Sequence, residues 1–304
     1  MFTLAHLSDP HLPPLPKPRL AELANKRVLG YLHWRQSRHR IHRAEQVDLL
    51  VRDLHAQAPD HVAVTGDLVN IGLVAEFAPA RVWLQSLGRP HEVTLVPGNH
   101  DAYLRQSLAA HGHWADFMSD DAANSSELRF PFVRRRGPLA LIGLSSAVPT
   151  APFLATGRLG AAQLARLDEL LGRLADCCRV VLVHHPPGRT RVRRFRSLTD
   201  APALRAVLAR RGAELVLHGH DHVLALDWLT GPNVPIPALG VPSASAMPLH
   251  GHRVEPAAYN LYRIDGVPGA WRREVVTRGF RAGAPGVVEL ARRELNPSTA
   301  SPAG

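Results

Sequence analysis

Five short polar motifs could carry chemistry, and each follows a run of apolar residues. They combine histidine, aspartate and asparagine, which bind metal ions or, in the case of histidine and aspartate, transfer protons. Because an extended backbone directs residues i and i+2 to one face, each pair with that spacing can point into one cavity. The motifs are Asp9-Pro10-His11, Gly66-Asp67, Gly98-Asn99-His100-Asp101, His184-His185-Pro186-Pro187 and Gly219-His220-Asp221-His222.

The donor types in these motifs favour a pair of divalent metal ions. Imidazole and carboxylate donors together suit Zn, Fe, Mn or Co, whereas a set made only of oxygen suits Mg or Ca. A carboxylate can also bridge two ions, which lie about 3.5–4 Å apart in two-metal sites. The candidate ligands are Asp9, His11, Asp67, Asn99, His184, His220 and His222.

Short apolar runs before and between the motifs predict buried strands, and leucine and valine at helical spacing predict helices near residues 47–54, 164–174 and 204–208. Such alternation favours a sheet covered by helices. Ligands of open α/β sheets bind at the carboxyl ends of the strands, so the motifs should converge there. The predicted strands are Phe2–Leu7, Val62–Thr65, Val93–Val96, Leu139–Leu144, Val180–Val183 and Leu215–Leu217.

After residue 222 the pattern changes to strands joined by turns. This favours one domain over residues 1–283, followed by a frayed tail over 284–304 that ends in proline and serine. A layered α/β/β/α sandwich fits the pattern, but so does a single sheet. The four further strands are Val223–Trp228, Val234–Leu239, Ala258–Ile264 and Trp271–Thr277.

Composition limits the partner and the compartment. The 304 residues include 36 Lys and Arg against 26 Asp and Glu, a net charge of +10, which predicts an anionic partner. The hydrophobic content of 45% excludes global disorder.

Two adjacent cysteines, Cys177 and Cys178, suit neither a disulfide framework nor a zinc knuckle and favour a reducing cytoplasm. The sequence has no apolar run of about 18 residues and no signal-peptide pattern at its start, which favours a cytoplasmic location.

In this order the five motifs resemble those of the calcineurin-like metallophosphoesterases, over about residues 1–225. The resemblance implies an α/β fold of four layers, α/β/β/α, in which helices flank two mixed sheets. It also implies a dinuclear metal centre and a phosphoester hydrolase. By position, Asp9, His11 and His222 would hold one ion, and Asn99, His184 and His220 the other.

The resemblance also implies roles for the remaining motif residues. Asp67 would bridge the ions together with a hydroxide that attacks phosphorus, and His100 would be the catalytic histidine that protonates the leaving oxygen. Asp101 would either orient His100 or cap a following helix. His185 and His218 would fix the orientation of the ligand imidazoles. The other histidines, such as those at 33, 39 and 42, are expected at the surface.

The residues after Gly66-Asp67 indicate a branch of this family. Phosphoprotein phosphatases continue with a GDYVDRG pattern, whereas this chain reads GDLVNIG and lacks both the second acid and the arginine. It is more similar to bacterial phosphodiesterases that act on cyclic nucleotides or glycerophosphodiesters.

A basic segment, residues 13–43, separates the first motif from the first predicted helix. It carries eight Lys and Arg residues against the single acid Glu22, interleaved with apolar residues. It could be an interfacial helix on an anionic membrane, a lid over an anionic substrate, or a packed helical hairpin. Arg189, Arg191, Arg193 and Arg194 follow the fourth motif and are candidates for guiding substrate. The position of a further cluster, 134–136, stays open.

Two other functions remain open. A basic, apolar lid is also found in pyrophosphatases that cleave UDP-2,3-diacylglucosamine at the inner membrane face during lipid A synthesis. A nuclease or nucleic-acid-binding protein would use the net positive charge, but this reading is disfavoured because no nucleic-acid recognition motif is visible and aromatic residues make up only 6%. The expected partner is therefore a phosphodiester or pyrophosphate, with two divalent ions, Mn, Fe or Zn, as cofactors.

Overall fold

Two six-stranded mixed sheets form the centre of the chain, as the computed structural model shows for residues 1–121, 128–188, 194–248 and 254–296. The first sheet has the order β12-β11-β10-β1-β2-β3, and the second β4-β5-β6-β7-β9-β8. The strands are β1 Phe2–Leu7, β2 His61–Val64, β3 Val93–Leu95, β4 Phe132–Arg136, β5 Leu139–Gly143, β6 Cys178–Leu182, β7 Leu215–His218, β8 Ala225–Leu229, β9 Ile236–Gly240, β10 Ala258–Asp265, β11 Arg272–Phe280 and β12 Val287–Glu294.

Helices connect some of the strands and turns connect the others. In the described ranges, 3₁₀ turns lie at Leu20–Leu23, His111–Phe117 and Arg194–Arg196, and a π-helical turn lies at Trp34–Arg38. The described part of the chain has no helix that is both long and apolar enough to cross a membrane. The α-helices are α1 Arg27–His33, α2 His39–Ile41, α3 Ala44–Ala56, α4 Val74–Leu87, α5 Arg105–Ala110, α6 Ala161–Arg173 and α7 Ala201–Arg211.

Alternation along β6 defines the layers. Val180 and Leu182 belong to the largest buried cluster, which also contains side chains of the first sheet and of α3 and α4. Val181 lies in a second cluster together with α6 and α7. Because successive strand residues point to opposite faces, the second sheet packs on the first sheet on one side and on helices on the other. The α/β/β/α sandwich is thereby confirmed.

All ten predicted strands are present within a few residues of their predicted ends, as are the three predicted helices. The tail expected from residue 284 is different: β12 lies within it and pairs antiparallel with β11. Its residues are half-buried or exposed, as on the edge of a sheet. An edge strand of this kind carries little apolar alternation, so the sequence pattern did not reveal it.

The arginine cluster at 134–136 lies in β4, a strand that the apolar pattern also missed. Arg134 is only 3% exposed, and its guanidinium donates to the carbonyls of Pro90, Val93 and Ser119 at 2.6, 2.7 and 2.8 Å. This arginine therefore ties loops to the sheet, and its positive charge is not available to a substrate.

Asp53 links helix α3 to the first sheet. Its carboxylate accepts two hydrogen bonds from Arg278 on β11, each 2.7 Å long, and one of 2.6 Å from the Tyr259 hydroxyl on β10.

Asp53→Asn keeps the volume but removes the charge, so the free energy of unfolding should fall by about 2 kcal/mol. Thermal denaturation followed by circular dichroism measures the change, and Arg52→Ala, an exposed neighbour on the same helix, is the control. Equal melting temperatures for both variants would contradict this role.

Candidate metal centre

The five motifs meet where β1, β2, β3, β6 and β7 end, and their backbone is unusual there. Five of the seven candidate ligands have positive φ, which non-glycine residues rarely adopt. Such conformations persist only where the surroundings hold them, and they cluster at functional sites. Backbone hydrogen bonds do this here: the Asp9 amide donates to Gly66 at 2.9 Å and the His11 amide donates to Asp67 at 3.1 Å. The five are Asp9 at 52°, His11 at 38°, Asp67 at 56°, His220 at 71° and His222 at 56°.

Asp9, His11 and His222 form one group of candidate metal ligands. The His11 Nδ1–H donates to the Val69 carbonyl at 3.1 Å, which leaves a lone pair on Nε2. This Nε2 lies 3.3 Å from His222 Nε2, which in turn lies 3.1 Å from Asp9 Oδ1. Because two imidazole nitrogens and a carboxylate oxygen converge in this group, the arrangement suits a cation placed between them.

Asn99, His184 and His220 form the second group. The His184 Nδ1–H donates to the Thr65 carbonyl at 2.7 Å, and the His220 Nε2–H donates to the Arg196 carbonyl at the same distance. Only the second ring nitrogen of each histidine is left to face the other, and these two nitrogens lie 3.2 Å apart. Asn99 Oδ1 lies 3.1 Å from the nitrogen of His184 and 2.9 Å from that of His220. With both rings neutral, three acceptor atoms converge at one point, so the place must hold either a proton or a metal ion.

Asp67 lies between the two groups. Its Oδ2 atom is 3.5 Å from His184 Nε2 and 3.8 Å from His11 Nε2, and its Oδ1 atom accepts a hydrogen bond of 2.7 Å from the His100 amide. A carboxylate in this position can reach an ion in either group. The geometry therefore fits two divalent ions with Asp67 between them, as the chemistry of the donors predicts.

The buried charges stabilise one another. Burial raises the pKa of Asp67, but His184 and His100 lower it more strongly, so that it ends well below its usual range. Burial lowers the pKa of His184, but Asp67 and Asp9 raise it to about 10. The Asp67 carboxylate thus stays ionised at neutral pH. A cation that binds His184 must displace a proton.

Asp101 has neither of the two roles that the sequence suggested. The next helix begins at Arg105 with Leu104 at its N-cap, so Asp101 does not cap it. In the described structure its carboxylate accepts hydrogen bonds from the backbone N–H groups of Gly98, Asp67, Leu68 and Val69, at 2.8, 2.8, 2.9 and 3.2 Å. Asp101 therefore holds the two loops that carry Asp67 and Asn99 in register.

The two histidines next to ligands differ from each other. The His185 ring packs against that of His220, with the ring centroids 4.3 Å apart and the planes tilted by 40°, and is itself held by Ser146 at 2.7 Å and by the Ala155 carbonyl at 3.1 Å. It can fix the orientation of His220 by packing. The Nδ1 atom of His218 faces the neighbouring Gly219 carbonyl at 3.3 Å, and this contact orients no ligand imidazole.

His100 stands beside the ligands, and its ring centroid is 4.8 Å from that of His11. Its Nδ1 contacts the Asn70 carbonyl, so the Nδ1 hydrogen is held there and Nε2 of the neutral ring carries a lone pair. Burial and the nearby Arg38 lower the pKa of His100 to about 4. The His100 side chain is thus placed to contact a group bound over Asp67.

Two residues of segment 13–43 reach the same site, although the sequence did not single them out. Arg38 NH1 lies 3.2 Å from His100 Nε2. His42, expected at the surface, is only 4% exposed, and its ring lies 4.7 Å from that of His11. Its Nδ1 atom lies 2.8 Å from Ser245 Oγ. The only sequence signal for either residue was that the segment begins directly after His11.

Segment 13–43 is packed on the domain. Leu15 is buried with Ile71 and Leu73, and Tyr31 and Trp34 pack against the same cluster. Leu20 and Leu32 remain exposed, at 89% and 47%. The segment is not a single amphipathic helix, because the 3₁₀ turn, α1, the π-helical turn and α2 follow one another within it. The contact with an anionic membrane is therefore not supported.

The arginines after the fourth motif lie mostly beyond the described residues. This applies to Arg189, Arg191 and Arg193, and to the side chain of Arg194, whose backbone begins the 3₁₀ turn at Arg194–Arg196. Their role in guiding substrate stays a prediction.

The sandwich fold and the candidate metal centre together are those of a metallophosphoesterase. Residues 2–224 match the calcineurin-like phosphoesterase family, and the chain belongs to it. A protein of Synechococcus sp., named "Probable cyclic nucleotide phosphodiesterase", is 29% identical over 173 residues, which cover 56% of this chain and 60% of that protein. The match thus spans less than two thirds of that relative's length.

Solved structures share the fold. A dimetal phosphatase from Danio rerio superposes with a TM-score of 0.58 at 13% identity, covering 98% of this chain and 99% of that one. A purple acid phosphatase from yellow lupin gives a TM-score of 0.56 at 10% identity, covering 91% of this chain and 51% of that one. At such identities the likeness concerns the fold alone.

Gly98 is required where two loops of the site touch. A Cβ atom on Gly98 would overlap the carboxylate and the backbone nitrogen of Asp67. Gly98→Ala should therefore displace Asp67 and weaken metal affinity about 10–100-fold, as loss of a supporting contact does in other metal sites. Calorimetric titration with Mn²⁺ measures this affinity. Gly112→Ala is the matched control, because nothing lies within 4 Å of its added Cβ. Unchanged Mn²⁺ affinity in Gly98→Ala would show that Asp67 is not a ligand.

Proposed function

We propose that this protein is a dinuclear metal-dependent phosphodiesterase that hydrolyses a cyclic nucleotide or a glycerophosphodiester. The observation that carries the proposal is the convergence of acceptor atoms in two groups, with Asp67 Oδ2 within 3.8 Å of a histidine in each. The relative from Synechococcus sp. makes cyclic nucleotides the first substrates to test.

Residue roles follow from the contacts. Asp9, His11 and His222 would hold one ion, Asn99, His184 and His220 the other, and Asp67 both. When bound, the two ions supply Lewis acidity and a hydroxide for attack on phosphorus. Asp101 keeps the loops of Asp67 and Asn99 at the spacing that this ligation needs.

His100 is proposed to act on the phosphate itself. Asn70 holds its Nδ1 side, so Nε2 is the nitrogen that can contact a phosphoryl or leaving-group oxygen. Nε2 would first have to take up a proton, which the negative charge of a bound phosphate favours, and would then pass it to the leaving oxygen as the bond from that oxygen to phosphorus breaks. The fixed ring orientation favours this transfer, because no rearrangement of His100 is needed.

The pyrophosphatase alternative depended on an apolar, membrane-facing segment. Since Leu15, Tyr31 and Trp34 pack inward against Ile71 and Leu73, the segment offers this alternative no particular support. Assays of candidate substrates must distinguish the pyrophosphatase and the nuclease from the proposed phosphodiesterase. The identity of the ions, Mn, Fe or Zn, and the cytoplasmic location likewise stay predictions.

Substitution in the two groups should abolish hydrolysis. With bis-p-nitrophenyl phosphate and Mn²⁺, Asp67→Asn should lose activity because both ions lose a ligand. His100→Ala should lower kcat about 100-fold or more, as expected on removal of a general acid. His91→Ala, an exposed histidine, is the control and should behave like the unmodified protein. Hydrolysis that survives Asp67→Asn would exclude the proposed centre.

Metal removal tests the same proposal without substitution. Dialysis against a chelator should abolish hydrolysis, and adding Mn²⁺, Fe²⁺ or Zn²⁺ back should restore it. The restored protein is then offered cyclic AMP, a glycerophosphodiester, UDP-2,3-diacylglucosamine and single-stranded DNA in parallel. Preferential turnover of the first two is expected, and a preference for either of the others would replace the proposed substrate class.

A further inference from the structure

Segment 13–43 is fixed at its start, middle and end, which makes it a wall of the active site. Its start follows directly after the Asp9-Pro10-His11 motif, where the Leu12 amide donates to the Leu68 carbonyl at 2.9 Å. In its middle, the Arg27 guanidinium donates to the carbonyls of Ile71, at 3.1 Å, and of Gly72, which attaches α1 to the loop after Asp67. Lys26 Nζ donates to the Thr150 carbonyl at 2.7 Å, which attaches the N-cap of α1 to the loop after β5.

At its end the segment is attached to the loop after β9. The Arg43 amide donates to the Ser245 carbonyl at 3.0 Å, and the Met247 amide donates to the Ile41 carbonyl at 2.8 Å. His42 is held by Ser245 Oγ. These contacts hold the helical stretch over 27–41 across the site.

The π-helical turn determines where Arg38 points. Residues 27–41 are helical throughout, with α1 before the turn, Trp34–Arg38 within it and α2 after it. A π turn inserts one extra residue and so rotates the residues that follow, and such turns are frequent at functional sites. Arg38 is the last residue of the turn, and its guanidinium faces the His100 ring, with NH1 3.4 Å from Nδ1 and 3.2 Å from Nε2.

The guanidinium of Arg38 is half-buried and lacks the anionic partner that such a cation normally has. Its hydrogen-bond partner among the described residues is the ring of His100, and the carboxylates of Asp67, Asp9 and Glu76 act on it only through their charge. Arg27 in the same segment differs, because backbone carbonyls occupy its guanidinium. A cation removed from water is costly unless an anion pairs with it. The anion that belongs at this site is the substrate phosphate.

We propose that Arg38 binds the phosphoryl oxygens of the substrate next to His100, and that segment 13–43 serves to bring this cation to the metal centre. The proposal rests on the proposed function and names a further binding residue for the same phosphate. A guanidinium offers planar, paired donors that match phosphate oxygens. The phosphate would then be held by the ions on one side and by Arg38 on the other.

Binding of inorganic phosphate to the Mn²⁺-loaded protein tests the proposal without turnover. Calorimetry should show that Arg38→Ala weakens phosphate binding roughly 10–100-fold, the usual effect of losing a hydrogen bond to a charged group. Arg38→Lys should lose less, because it keeps the charge. Arg35→Ala is the matched control: it removes the same charge from an exposed position in the same turn.

Two readouts separate binding from folding. The melting temperature of each variant shows whether the segment stays packed, and added guanidinium ion should restore phosphate affinity to Arg38→Ala if only the cation is missing. Unchanged phosphate affinity in Arg38→Ala, or an equal loss in Arg35→Ala, would overturn the proposal. So would failure of guanidinium ion to restore affinity in a variant that melts normally.

The experiments give a different result if the proposed phosphodiesterase function itself is wrong. A protein that hydrolyses no diester after loading with Mn²⁺, Fe²⁺ or Zn²⁺ contradicts the phosphodiesterase, while the phosphate titration still decides the role of Arg38. Conversely, chelator-sensitive hydrolysis with an unchanged KM and unchanged inhibition by phosphate in Arg38→Ala contradicts only the inference about Arg38.

Discussion

Convergence of ligand atoms at two buried positions is the constraint on which this site depends. His11 Nε2 faces His222 Nε2 at 3.3 Å, and His184 Nε2 faces His220 Nδ1 at 3.2 Å. Backbone carbonyls accept a ring hydrogen from His11, His184 and His220, so only the second nitrogen of each ring points into the site. Buried polar atoms that face one another need a proton or a metal ion between them, because unpaired acceptors in the interior are costly. The positions at which the histidines compete for a proton are therefore the positions that suit a metal ion.

The surrounding fold holds these buried polar groups close to one another. Left-handed conformations at Asp9, His11 and Asp67 store strain, and the strain is tolerated because neighbouring loops bond to one another. Asp101 is central here, since one carboxylate accepts four backbone N–H groups from the loops of two motifs. The sheets contribute rigidity: β1, β2 and β3 pair in parallel, so their carboxyl ends, and the motifs that follow, lie side by side.

Much of this could be predicted from sequence because the governing signals are local. Asp9 and His11 follow a strand whose apolar run is compact, and spacing together with residue type indicates a metal site. Where the signal is not local, prediction failed. Asp101 acts on N–H groups more than 30 residues away in sequence, and nothing in its neighbourhood reveals them. The edge strand β12 has residues too exposed to alternate. His42 was expected at the surface because it sits among arginines, but it is buried by Ser245, some 200 residues later.

Arg38 illustrates why one extra helical residue matters. With regular α-helical spacing, the arginines at 35 and 38 would lie three residues apart on one face of a helix and would be equivalent in sequence. The π turn separates them: Arg35 is exposed, whereas Arg38 faces His100. The turn can persist because the chain on both sides of it is anchored, by Arg27 before it and by His42 after it. The charge count alone therefore could not choose between an interfacial helix, a lid and a packed hairpin. Packing directs the guanidinium of Arg38 to the histidine beside the candidate metal centre and uses that of Arg27 to attach the segment to the domain.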